Sequence, residues 1–188
     1  MTLVRSQYIP TLEEFLKLPE TKPAKEYLDG KIYQKPMPQG KHSTLQVELA
    51  SAINQAGKAQ KSAYAFTELR CTFAGRSIVP DIAVFEWQNI PLDKNGQIAN
   101  KFTIAPDWLI EILSPNQPAN QIMRKIIFAL NNGTKLGYFI DPDDESVTVF
   151  KPNQLPDVKE KQDILPTIDV LQDWHPIVED IFGWLKFA

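Results

Sequence analysis

Two carboxylates stand where the sequence otherwise places apolar side chains: Asp81 in SIVPDIAVF and Glu111 in DWLIEILSP. Read as strands, the two runs alternate so that Asp81 shares a face with Val79 and Ala83, and Glu111 shares one with Leu109 and Leu113. Each acid thus has apolar company, and an unpartnered buried carboxylate is costly. Two buried anions also raise each other's pKa unless a cation holds them. A divalent ion meets that need economically, since Mg²⁺ is commonly held by one or two carboxylates together with waters and phosphate oxygens. Lys125 is the third candidate. With a helix starting near Ala119 it lies about 9 Å along the axis, and its long side chain can lean back over the C-terminal end of the Glu111 strand. The alternative is that Arg124 and Lys125 are solvated helix charges.

The elements that must position these groups are legible from periodicity and punctuation. TLEEFLKLP predicts a short helix with Thr11 and Glu14 as a capping box, Leu12, Phe15 and Leu16 on its apolar face, and Pro19 as its stop. EYLDGKIYQKP predicts a hairpin turning at Asp29-Gly30. From His42 to about Ala56, Leu45, Val47, Leu49, Ala52 and Ile53 suit a helix closed by Gly57. Three strand-like runs follow, SAYAFTELRCTF, SIVPDIAVFEW and DWLIEILSP, with a long loop around NIPLDKNGQIAN. Ile122, Ile126, Ile127 and Leu130 give a helix over Ala119–Leu130, stopped by Asn132-Gly133. KLGYFIDP is a fourth core strand, paired with SVTVFKP across the acidic DPDDE turn. The helical crossover makes the third and fourth strands parallel. The class is therefore α/β (α+β): a mixed central sheet flanked by helices, preceded by an N-terminal helix and hairpin. At the C-terminus, Ile177, Ile181, Trp184 and Leu185 share one helical face, for packing on the same domain or for a dimer contact. With no repeat or linker, one domain is expected over residues 1–188: N-terminal helix and hairpin 1–40, core 41–151 and C-terminal extension 152–188.

The 188 residues are 43% hydrophobic and 23% charged, the composition of a soluble globular protein. The lone Cys71 allows no intrachain disulfide and reads as a small buried hydrophobe in a reducing compartment. No run approaches signal-peptide or membrane-helix length, so an untargeted cytoplasmic protein without a membrane partner is expected. A net charge of -3 argues weakly against a dedicated nucleic-acid binder, but the charge is uneven. Residues 141–188 carry 11 acidic against 4 basic side chains, leaving 12 acidic against 16 basic in residues 1–140. Other chemistries fail on spacing. Counted from Asp141, a calcium loop would need Gly and Glu where Ser146 and Pro152 stand. His42 and His175 are too few and too distant for a zinc site. Ser77 and Ser114 lack a nucleophile-elbow context, and no phosphate loop occurs.

VPD-I-A-V with Asp81, then LIEILSP with Glu111, then a helix with Lys125 and the run NGTKLGYFIDP resemble, in this order and spacing, the bacterial Uma-type putative restriction endonuclease family of the PD-(D/E)XK nuclease superfamily. EYLDGKIYQKPMP resembles that family's N-terminal hairpin, and His42 stands where the family also carries a histidine. The resemblance implies a restriction endonuclease-like core. It implies Asp81 and Glu111 as ligands of Mg²⁺ or Mn²⁺, with the backbone carbonyl of Ile112 as a third. In the superfamily the residue two after the glutamate is lysine, whereas here it is Leu113, and the family's lysine falls on Lys125. Glu26 matches a further acid near the site, and His42 approaches the same cleft. Gln121 stands where the family often has aspartate. The expected activity is hydrolysis of DNA phosphodiester bonds by a metal-activated water, in a homodimer because cutting two strands usually takes two sites. Two alternatives stay open: a catalytically weakened nuclease fold serving as a nucleic-acid or protein interaction module, and a plain α/β protein whose carboxylates are satisfied by Arg or Lys.

Overall fold

The computed structural model describes residues 9–187. Residues 1–8, part of the stretch read above for targeting signals, and residue 188 lie outside them. The first element is α1 (Leu12–Leu16), capped by Thr11, whose hydroxyl accepts the Glu14 N–H while the Glu14 carboxylate accepts the Thr11 N–H. Of its expected apolar face, Phe15 is buried and Leu16 is exposed. Strands β1 (Lys25–Leu28) and β2 (Lys31–Gln34) form the expected hairpin, with Asp29 and Gly30 both at positive φ. That pairing of left-handed residues matches the twist of a two-residue turn. Helix α2 (Gly40–Gly57) follows.

Two of the strand-like runs are each divided between two sheets. SAYAFTELRCTF yields β3 (Ala63–Thr67) and β4 (Cys71–Phe73), with Glu68 at φ 52° between them. SIVPDIAVFEW yields β5 (Arg76–Ile78) and β6 (Ile82–Glu86), broken at Pro80. Asp81 is thus a bend residue immediately before β6 rather than a strand residue. Proline supplies no ladder N–H, so the chain leaves one sheet at Val79-Pro80 and joins the other at Ile82. Then come β7 (Trp108–Ile112), α3 (Ala119–Leu130), β8 (Leu136–Asp141) and β9 (Ser146–Phe150), as expected. The sequence reading did not foresee β10 (Asp157–Glu160), and the C-terminal helix α4 (Val178–Gly183) is short.

The large sheet has the order β10-β9-β8-β7-β6-β3, with β7 and β8 parallel and the other pairs antiparallel. The small one, β2-β1-β5-β4, is antiparallel throughout. Both faces of the large sheet are covered, so its central strands read as continuous apolar runs. On one face Ile82, Val84, Ile110 and Ile112 pack with Leu45, Leu49 and Ile53 of α2 and with Ile181 of α4. On the other, Ala83, Phe85 and Leu109 pack with Ile122, Ile126 and Ala129 of α3 and with Cys71 and Ile78 of the small sheet. Alternation puts Glu111 on this second face with Leu109. Gly137 of β8 lets α3 approach closely, since a Cβ there would collide with the Ile126 side chain.

Candidate active site

Six elements converge where the two sheets meet. Ile82 pairs with Ile110 in the antiparallel β6–β7 register, and one residue further in each direction sets Asp81 opposite Glu111. Asp81 Oδ2 accepts the Ile112 N–H at 2.7 Å, fixing the carboxylate across the strand ends. Both acids are buried, with 2% and 1% of their surface exposed. Lys125, from α3, reaches back as its position on the helix suggested. Its ammonium lies 2.9 Å from Glu26 Oε1 and 2.9 Å from Glu111 Oε1. The contact with Glu26 of β1 is a hydrogen bond. The contact with Glu111 is an ion pair by distance only, and Glu111 Oε1 accepts no hydrogen bond. Glu26 Oε1 also accepts the Val79 N–H at 2.8 Å, tying β1 to the crossover between the sheets.

His42, in the first turn of α2, has Nε2 at 3.3 Å from Asp81 Oδ1 and Nδ1 at 3.1 Å from Ser114 Oγ. With Nε2–H facing a carboxylate, Nδ1 is left to accept the serine hydroxyl. Ser114, set aside above as a nucleophile, therefore orients a histidine. All five side chains singled out in the sequence, Glu26, His42, Asp81, Glu111 and Lys125, are brought together.

A sixth was missed. Lys35, one residue beyond β2, is buried, and its ammonium donates to Asp81 Oδ1 at 2.7 Å, Val79 O at 2.8 Å and Glu68 Oε1 at 3.0 Å. The signal available was charge balance: three acids gathered around Lys125 alone leave an excess of negative charge, so a second cation was required. Gln46 of α2 completes the group, donating to Asp81 O and Glu68.

The electrostatics differ between the two central acids. Burial opposes the charge of Asp81, but Lys35 and His42 outweigh it and hold the carboxyl far below the usual range. For Glu111, burial dominates over Lys125 and pushes the carboxyl up to about 8. Lys35 and Lys125 both sit above the ordinary lysine range, because the surrounding carboxylates outweigh the cost of burying an ammonium.

Two of the cavities that flank the cluster open on its lysines. One, of about 490 Å³, is walled by Lys35, His42, Glu68 and Asp81. The other, of about 600 Å³, is walled by Glu26, Lys125, Lys31, Arg76 and Arg124. Gln117, on the loop after β7, borders both. The acidic turn rejected as a calcium loop is the β8–β9 hairpin, with Asp141 Oδ1 accepting the N–H groups of Asp143 and Asp144.

The family model for Uma2, described as a putative restriction endonuclease, matches residues 12–179. The chain belongs to the Uma2 family. A crystal structure of a putative nuclease belonging to DUF820 from Anabaena variabilis ATCC 29413 is 51% identical in sequence, covering 94% of this chain and 99% of that one, with a TM-score of 0.93. No curated protein matches. The mixed α/β architecture is thus that of the Uma2 fold, and Asp81, Glu111 and Lys125 all fall within the matched residues.

The cluster can be tested against a divalent ion on its own atoms. Its donors are carboxylate oxygens, the hard ligands that suit Mg²⁺ and Mn²⁺ rather than zinc. Glu111 Oε1 is a buried oxygen that accepts no hydrogen bond, with the Lys125 ammonium 2.9 Å away. Among the described residues no group of three or more His, Cys, Asp or Glu side chains could hold a metal ion. With two carboxylates from the protein, water and phosphate oxygens would have to complete the coordination of such an ion.

Proposed function

We propose that this Uma2 protein is a divalent-metal-dependent endonuclease that hydrolyses DNA phosphodiester bonds. One observation carries the reading: two buried acids stand opposite each other across adjoining strand ends, within reach of a lysine from the following helix. Asp81 and Glu111 would hold Mg²⁺ or Mn²⁺, with the Ile112 carbonyl as a third protein ligand. When bound, such an ion supplies a Lewis acid for the phosphodiester and lowers the pKa of the attacking water.

The remaining steps belong to the chain's own residues. Lys125 keeps its charge between Glu26 and Glu111 and stabilises the negative charge that develops on the phosphate. Glu26, anchored by the Val79 N–H, holds Lys125 at that position. His42, set by Ser114, holds Asp81 Oδ1. The basic side chains Lys31, Arg76 and Arg124 on the larger cavity supply contacts for a phosphate backbone. A second reading, a fold that binds DNA without cutting it, is favoured by one feature: each central acid already has a lysine at 2.7 or 2.9 Å.

Incubation with supercoiled plasmid and Mg²⁺ or Mn²⁺ separates the two. The nuclease reading expects nicked and linear products from the native protein and none from Asp81→Ala. Cleavage that persists in the variant removes the mechanism. Salt-dependent DNA binding without cleavage selects the second reading.

A further inference from the structure

Lys35 is the buried cation of the cluster to which the mechanism above gives no part. Its three N–H donors are all engaged: one on Asp81 Oδ1, one on the Val79 carbonyl and one on Glu68. Asp81 Oδ1, with Lys35 at 2.7 Å and His42 Nε2 at 3.3 Å, is the oxygen that an incoming cation would take, since Oδ2 accepts the Ile112 N–H; Lys35 is the nearer of its two partners. Lys35 and a divalent ion therefore compete for one atom. The bonds to Val79 and Glu68 do not depend on that atom, so one of them can hold the ammonium as a pivot while the side chain rotates away from Oδ1. The direction open to it is the cavity of about 490 Å³ that Lys35, Asp81 and His42 share. Lys125 walls the separate cavity on the other side of Gln117.

We propose that Lys35 is a second catalytic lysine: it holds the place of the metal on Asp81 in the metal-free protein, and on metal binding it turns into the smaller cavity to contact a non-bridging oxygen of the scissile phosphate. The inference rests on the metal-dependent reading above. The loading ion then displaces one ammonium from one carboxylate oxygen, and the displaced charge stays at the site to meet the substrate. A lysine that merely neutralised Asp81 for folding would do neither.

The test is Mn²⁺ binding, measured by calorimetry and by the rise of Tm with Mn²⁺, alongside plasmid cleavage at saturating Mn²⁺. Lys35→Gln removes the competitor and is expected to bind Mn²⁺ roughly tenfold more tightly than the native protein, while cleaving about 100-fold more slowly. Lys35→Arg puts a fork-shaped cation on the same carboxylate and is expected to bind Mn²⁺ at least about threefold more weakly. The predicted affinity order is Gln, then Lys, then Arg. If Lys35→Gln folds only with Mn²⁺, the dependence of its Tm on Mn²⁺ gives the affinity. If it does not fold at all, the Arg variant decides. Unchanged Mn²⁺ affinity in Lys35→Arg, Mn²⁺ affinity in Lys35→Gln at or below the native value, or undiminished cleavage by Lys35→Gln overturns the proposal. Native Mn²⁺ binding that is lost in Asp81→Asn, combined with a flat Lys35 series, sinks this inference alone. Absence of Asp81-dependent Mn²⁺ binding in the native protein sinks the parent reading with it.

Discussion

Lys125 serves two carboxylates with one ammonium, and its removal exposes what each of them costs. Lys125→Met leaves Glu26 buried without its cation and pushes the Glu111 carboxyl further toward its neutral form, a change expected to lower stability by roughly 3–5 kcal/mol and cleavage by about 100-fold. Thermal melts in chelator and plasmid assays read the two losses separately. Glu111 behaves in the opposite way, because its folded carboxyl sits near 8 against an ordinary 4.5. A raised folded pKa contributes stability that is fully present below the unfolded value and is lost as pH rises through the folded one. In chelator, the native protein should therefore lose stability relative to Glu111→Gln between about pH 5 and pH 9, by on the order of 1–3 kcal/mol. Parallel profiles for the two proteins would refute that account of Glu111. Asp81 carries the reverse sign. Its depressed carboxyl stabilises the fold above the ordinary 3.8 and stops doing so as pH falls below it. The residues found by sequence reasoning were those that broke a local pattern, such as an acid in an apolar run. Lys35 broke none, since a lysine before Pro36 at a strand exit is unremarkable in any hairpin.

At the scale of elements, the contact between α3 and β8 sets the position of Lys125. Gly137 is the close-approach point, and Gly137→Ala should push Ile126 and the helix outward. Overpacking of this kind is expected to cost about 1–3 kcal/mol and to slow cleavage further by moving the Lys125 ammonium off Glu111. Normal cleavage at a temperature well below the variant's Tm would mean that the helix absorbs the added methyl without shifting. Helix α3 and the crossover it forms were readable because Ile122, Ile126 and Leu130 repeat at helical spacing and Asn132-Gly133 ends them. The division of SIVPDIAVFEW into β5 and β6 was not. Proline at position 80 stands at the break, but which sheet each half joins depends on pairing with β1, β3 and β7 as well as with β4, and of these only the β4–β5 hairpin is local in sequence.

For the whole molecule, an overall charge of -3 would steer nucleic acid poorly, yet the basic excess lies in residues 1–140, and Lys31, Arg76 and Arg124 wall one cavity. Asp29 offsets part of it through its ion pair with Arg76. Lys31 and Arg124, both exposed, are the side chains to reverse. Lys31→Glu and Arg124→Glu should each weaken duplex binding several-fold and flatten the salt dependence by about one contact, without a change in Tm. Binding that is indifferent to both would move the nucleic-acid surface to another face. Among the described residues, no helix is long and apolar enough to cross a membrane.

Order, alternation and punctuation along the chain determined the helices and the two anomalous acids, because each shows in the local pattern of one element, and the parallel β7–β8 pair, because a single helical crossover joins its strands. Tertiary structure decided which cations answer those acids. Lys35 reaches Asp81 across 46 positions and Lys125 reaches Glu26 across 99. Charge pairing over such separations is fixed by how two sheets meet at Val79-Pro80-Asp81. Buried carboxylates tolerate that meeting only where ammonium groups, or a metal in their place, stand within about 3 Å.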